Sequence, residues 1–230
     1  SRQSDINLRN TSKKSEVWQF GTLGTWALLA PWHLGTLGTL GTVALRPSAL
    51  DPNSMTETEL ALAALAKATV DFLATMDGVG AEEYLVSPGP GRWSLAENAE
   101  HTTVVIRGTE RLLTTRLLHQ PLAADDPSRR VQDADLPGFL TDRTRSLAAP
   151  EFVRPKGRWT IREEMTSAIQ AATAGIVTWA RATHADLRAF GPAHPVFGSL
   201  DGIQWINFLA LHTDRHARQA RAIRADLVRA

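Results

Sequence analysis

From Met55 onward the chain is written in one period. Four long runs carry apolar residues at helical spacing, and no stretch shows the paired alternation and tight Asn-Gly or Asp-Gly turns of a hairpin. The first run, 56 to 77, opens with Thr56 and Glu59 at capping-box spacing. Its apolar side is read as Leu60, Leu62, Ala63, Leu65, Val70, Phe72, Leu73 and Met76, and Gly78 and Gly80 end it. The second opens at Ser94 with Glu97 three residues on and runs to His119 before Pro121, with an inward stripe of His101, Val105, Gly108 and Leu112. The third covers 160 to 190 and stops at Gly191-Pro192. The fourth starts at Ser199 or Asp201 and reaches Val228, with a stripe of Trp205, Leu209, His212, His216, Ile223 and Leu227. Between the second and third runs lies a proline-rich connection, 120 to 158, with a short helix expected around Phe139 to Leu147. The fold class this predicts is all-α, a four-helix bundle with one long crossover.

Residues 1 to 54 follow other rules. No formal charge falls between Glu16 and Arg46, and Gly-Thr-Leu-Gly-Thr recurs at Gly21 to Thr25 and through Gly35 to Thr42. Repeated Gly and Thr dilute any spanning segment, and no basic start precedes a compact apolar run. This reads as a disordered low-complexity extension upstream of a natural start at Met55, with a weak membrane or export anchor as the alternative.

The 230 residues include no cysteine, so thiol nucleophiles, disulfides and Cys-based zinc sites are excluded from the chain itself. A net charge of +1 argues against a dedicated nucleic-acid binder. Metal chemistry would therefore fall to His, Asp or Glu. His212 and His216 are four apart on one otherwise apolar helix face, so both rings can reach one ion. His101 adds a third inward imidazole from another helix. Three such ligands leave coordination positions open for water or substrate. Position 213 is Thr, so the H-E-x-x-H arrangement of zincin proteases is missing.

Glu97 shares the face of His101 and is a weak candidate for a catalytic base, although its spacing to Ser94 already explains it as a cap. Asp214 points away from the pair and is expected to bond Arg218 or Arg221. His194, before Pro195, reads as a structural turn, with substrate contact as the alternative. His119 and His184 sit near helix ends, and His33 lies in the tail. Arg215, Arg218, Arg221 and Arg224 form a row, read as a solvated face with anion binding as a weaker option. Trp93, Trp159, Trp179 and Trp205 are expected in or beside the core. Gly157-Arg158-Trp159-Thr160 echoes Gly91-Arg92-Trp93-Ser94, and that register sets Ser167 against His101.

Trp93-Ser94-x-x-Glu97-x-x-x-His101, His194-Pro195-x-x-Gly198 and His212-x-x-x-His216, in this order, resemble the DinB/YfiT-like superfamily over residues 55 to 230. The resemblance implies a four-helix bundle with an atypical crossover, and a divalent metal such as zinc, nickel or manganese on His101, His212 and His216. It also implies the activities found there: thiol-dependent S-transfer, isomerisation of small organic acids, and metal-dependent hydrolysis. The chain is thus expected to act on a small molecule by activating water or a low-molecular-weight thiol cosubstrate. The rival is a non-catalytic bundle used for association, with metal absent or structural. A cytoplasmic location, a homodimer, and no nucleic-acid or membrane partner complete the expectation.

Overall fold

A computed structural model describes residues 55–141 and 149–229. The readings made for 1 to 54 lie outside the described residues, as does the stretch 142–148. Among the described residues there are six α-helices: α1 (Glu57–Ala74), α2 (Ala81–Leu85), α3 (Leu95–Thr115), α4 (Leu136–Thr141), α5 (Arg162–Ala182) and α6 (Gly202–Leu227). The four long ones form the predicted all-α bundle. α1 packs on α6, α6 on α3, α3 on α5 and α5 on α1, which closes a ring. Helices consecutive among the long four, α1 then α3 and α5 then α6, therefore lie across the diagonals. No described helix is long and apolar enough to cross a membrane.

The caps fix where the two site-bearing helices begin. Ser94 Oγ accepts the Glu97 N–H at 3.1 Å while Glu97 Oε2 accepts the Ser94 N–H at 2.8 Å, a complete capping box. Asp201, rather than Ser199, starts α6, and it exchanges the same pair of bonds with Gln204. At α1, Thr56 caps the Glu59 N–H, but the Glu59 carboxylate turns outward to Arg181.

Several boundaries differ from the periodic reading. α3 ends at Thr115 and a 3-10 turn, Leu117–His119, finishes the run. α5 stops at Ala182, eight residues early, because Thr183 is extended and Asp186 accepts the Arg188 N–H to start a separate 3-10 turn. α2 follows the Gly78-Val79-Gly80 break, a short helix outside the four periodic runs. α4 begins at Leu136, three residues earlier than predicted. In the first run, Leu60, Ala63 and Val70 face water, while Ala61, Leu62, Leu65, Ala68, Phe72 and, past the helix end, Met76 are buried. On α3, Val105 and Gly108 are only half-buried, and Ile106 and Leu113 join Leu112 in the core. The 66-residue echo fails in space: Ile161, not Thr160, precedes α5, and Ser167 is exposed. A small antiparallel ladder, β1 (Ala193–His194) with β2 (Gly198–Ser199), leads into α6. Two-residue strands are too short to show alternation in a sequence.

Candidate metal centre

α3 and α6 pack side by side and bring three imidazoles together. His101 is buried on α3, and His212 and His216 are buried one turn apart on α6. Their ring centroids are 5.2 Å (101–212), 4.7 Å (101–216) and 4.4 Å (212–216) apart. One nitrogen from each lies within 4.8 Å of the others. His101 Nε2 and His212 Nε2 are separated by 3.3 Å. Two nitrogens bound at about 2.0–2.1 Å in a tetrahedral shell sit about 3.3–3.4 Å apart, so this edge already has the length a zinc-like ion would impose.

The protonation states follow from the surroundings. His101 Nδ1 lies 2.8 Å from the Val153 carbonyl. A carbonyl oxygen only accepts, so Nδ1 carries the hydrogen and Nε2 of the neutral ring keeps its lone pair. Burial pushes the His101 pKa below its ordinary value, against an opposing pull from the bond to Val153. His212 and His216 are pushed well below theirs, by burial first and then by neighbouring imidazoles and Arg215. Three neutral rings are what a cation needs. Among the described residues, His212 Nδ1 and His216 Nδ1 are buried without a hydrogen-bond partner.

The remaining candidates fall elsewhere. Glu97 is spent on the capping box. Asp214 pairs with Arg218, as expected. His194 Nδ1 accepts the N–H groups of Val196 and Phe197 at 3.1 and 3.3 Å, holding the His-Pro turn. Its ring sits among Phe197, Trp205 and Phe208, and Phe208 in turn lies 5.5 Å from the His212 ring. Burial there lowers the His194 pKa to about 4. His119 and His184 are exposed. The arginine row is not one solvated face. Arg215 donates to the Leu140 carbonyl at 3.1 Å and Arg224 to the Thr75 carbonyl at 3.0 Å, so two of the four secure the ends of α4 and α1. Trp205 is buried with Nε1–H on the Pro192 carbonyl, and Trp159 and Trp179 pack against the core. Trp93 lies 5.1 Å from the His101 ring.

A cleft of about 930 Å³ opens over Arg129, Asp133, Arg188, Asp201 and Gln204, and none of the three histidines lines it. Its charges are engaged with one another. Arg129 bonds Asp201 at 2.9 Å and the carbonyls of Ala123 and Arg188, and Arg188 bonds Glu57, Asp133 and Asp201. This network anchors the start of α6 and leaves little to offer a ligand.

Sequence reasoning missed Glu100 and the Val153 carbonyl. Glu100 is buried, and its two oxygens accept the backbone N–H groups of Lys156 and Arg158 at 2.8 and 3.0 Å. A backbone carbonyl has no signature in a sequence, and a glutamate within an ordinary helical run gives no sign of where it points.

The comparisons agree with this architecture. The DinB superfamily matches residues 64–220. The uncharacterized protein YuaE of Bacillus subtilis (strain 168) is 25% identical over 166 residues, covering 67% of this chain and 91% of that protein. No solved structure matches the chain. With the bundle, its diagonal connections and the match over most of its length, this chain belongs to the DinB superfamily.

Proposed function

We propose that the protein is a divalent-metal-dependent enzyme whose ion is held by His101, His212 and His216. The observation that carries this reading is three buried neutral imidazoles from two helices, with ring nitrogens gathered within 4.8 Å and one N···N edge of 3.3 Å. Bound there, a divalent cation supplies Lewis acidity, which lowers the pKa of a water or thiol ligand toward neutrality. The chain's own residues do the rest. α3 and α6 hold the rings rigidly, Val153 sets the tautomer of His101, and burial keeps protons off all three nitrogens. An all-imidazole donor set favours zinc or nickel over manganese, which prefers carboxylate and carbonyl oxygen. Three protein ligands leave room for a small substrate, and in a cysteine-free chain any reacting thiol would arrive as a cosubstrate. Hydrolysis and thiol-dependent S-transfer are the reactions in keeping with this site, in a cytoplasmic protein.

The test is metal analysis of the purified full chain, followed by titration of metal-free protein with zinc and nickel. One ion per chain is expected, lost in His101→Ala, His212→Ala and His216→Ala. Absence of uptake by the wild-type chain would refute the reading. A bound ion saturated by four protein ligands would transfer the argument to a structural, non-catalytic bundle.

A further inference from the structure

We propose that Glu100 is a positioning residue for this metal site: it straps the crossover to α3 so that the Val153 carbonyl holds His101 with Nε2 turned toward His212 and His216. The inference rests on the metal reading above. Two consecutive residues of α3 grip one short stretch of the crossover. His101 Nδ1–H meets the Val153 carbonyl at 2.8 Å. Glu100 Oε1 meets the Lys156 N–H at 2.8 Å and Oε2 the Arg158 N–H at 3.0 Å, and Arg158 Nε lies 3.8 Å from Oε1. The stretch between them contains Pro155, which has no N–H to contribute, and a single 3-10 turn, Glu151–Val153, precedes it. Neighbours on a helix are about 100° apart, so the strap crosses the helix and closes over both side chains. Glu100 is 1% exposed, and a buried carboxylate whose two oxygens each take a backbone N–H of one loop is positioned to fix where that loop runs. Hydrogen bonds to the far nitrogen of a ligating histidine set its tautomer and orientation, and losing them typically weakens metal binding about 10–100-fold.

Glu100→Gln keeps the shape but turns an amide NH2 toward a backbone N–H, so one of the two strap bonds is lost. Nitrogen-resolved NMR of metal-free protein at pH 7.5 reports the His101 tautomer without any metal. The wild-type ring is expected as a single Nδ1–H tautomer, and the variant as a mixture, with zinc affinity lowered about 10–100-fold and helix content retained. Glu110→Gln, on the same helix but without a bond to the strap, should change neither readout. An unchanged tautomer in Glu100→Gln overturns the proposal, as does an affinity loss without a tautomer change. Should the variant not fold, the wild-type spectrum decides: a His101 that is not the Nδ1–H tautomer, or Lys156 and Arg158 amides that exchange freely, overturns it. A tautomer shift in Glu100→Gln, together with no metal uptake by the wild-type chain, would leave the strap standing and refute the metal reading instead.

Discussion

Replacing Asp201 by alanine should be among the most destabilising single changes outside the apolar core, and the structure gives the size. Asp201 is 1% exposed and performs two tasks with one carboxylate. Oδ1 accepts the Gln204 N–H at 2.9 Å as the N-cap of α6. Oδ2 receives Arg129 Nη1 at 2.9 Å and Arg188 Nη1 at 3.0 Å. Losing the cap costs about 1 kcal/mol. Removing one member of a buried ion-pair cluster costs about 3–5 kcal/mol, because the partners keep their charge without its counterpart. The lower end applies here. Arg188 is 28% exposed at its side chain and keeps Glu57 and Asp133, and Arg129 keeps two carbonyls. Asp201→Ala should therefore cost about 4 kcal/mol. Asp201→Asn, which retains a cap acceptor but not the charge, should cost about 3 kcal/mol.

At roughly 2–4 °C per kcal/mol for a domain of this size, the alanine variant should melt on the order of 10 °C below wild type. Urea unfolding of the metal-free chain, followed by circular dichroism, would give both differences on one scale. Equal losses in the two variants would refute the cap contribution. A neutral Asp201→Asn would refute the view that the cluster, rather than apolar packing alone, fixes the start of the helix that carries His212 and His216.

Other expectations are more local. Gly198 has φ +76°, and a Cβ there would lie 2.4 Å from the Ser128 carbonyl, so Gly198→Ala should cost about 3 kcal/mol in denaturant unfolding. Glu97→Ala should cost about 1 kcal/mol through the lost half of its capping box while leaving metal stoichiometry unchanged, and a lost metal would contradict its assignment as a cap. His194 falls from the ordinary 6.5 to about 4, so the unfolded chain binds the extra proton between these values. Its contribution is complete above pH 6.5 and disappears as pH falls toward 4, about 3 kcal/mol in all. His194→Gln should flatten that part of the pH–stability curve.

What could be read in advance depended on whether a side chain acts through its own pattern. Ser94 and Glu97 announced their helix by spacing, and the structure shows both reciprocal bonds. His212 and His216 were legible for the same reason, since four residues make one turn, and the tryptophan-led entry of α3 placed His101 at the matching depth. The failures share a cause as well. Leu60 and Val70 are apolar residues off the buried stripe, and a loose apolar count absorbed them. α5 was read through to residue 190 because its composition stays helix-tolerant past Ala182. The Thr183 and Asp186 side chains, which accept the Ala185 and Arg188 N–H groups, mark the break. Arg215 and Arg224 looked like a solvated row because backbone carbonyls, their actual partners, are invisible in a sequence. The same blindness hid Val153 and Glu100.

The burial of the three imidazoles leads to one last consequence. A histidine of ordinary pKa is mostly protonated at pH 6.0, so a cation binding three such rings would displace about two protons. Here burial lowers all three pKa values, His212 and His216 well below the ordinary value, so these two rings hold few protons at that pH. Binding should then release clearly fewer than two protons from them, and affinity should fall less between pH 7 and pH 6 than three ordinary imidazoles would impose. The structure has met the cost of deprotonation in advance by withdrawing the rings from water. Calorimetric titration with nickel at pH 6.0, in two buffers of different ionisation heat, counts the protons directly. Release of about two would mean that the rings are hydrated and charged before the metal arrives. The packing of α3 against α6 would then be looser than this site requires.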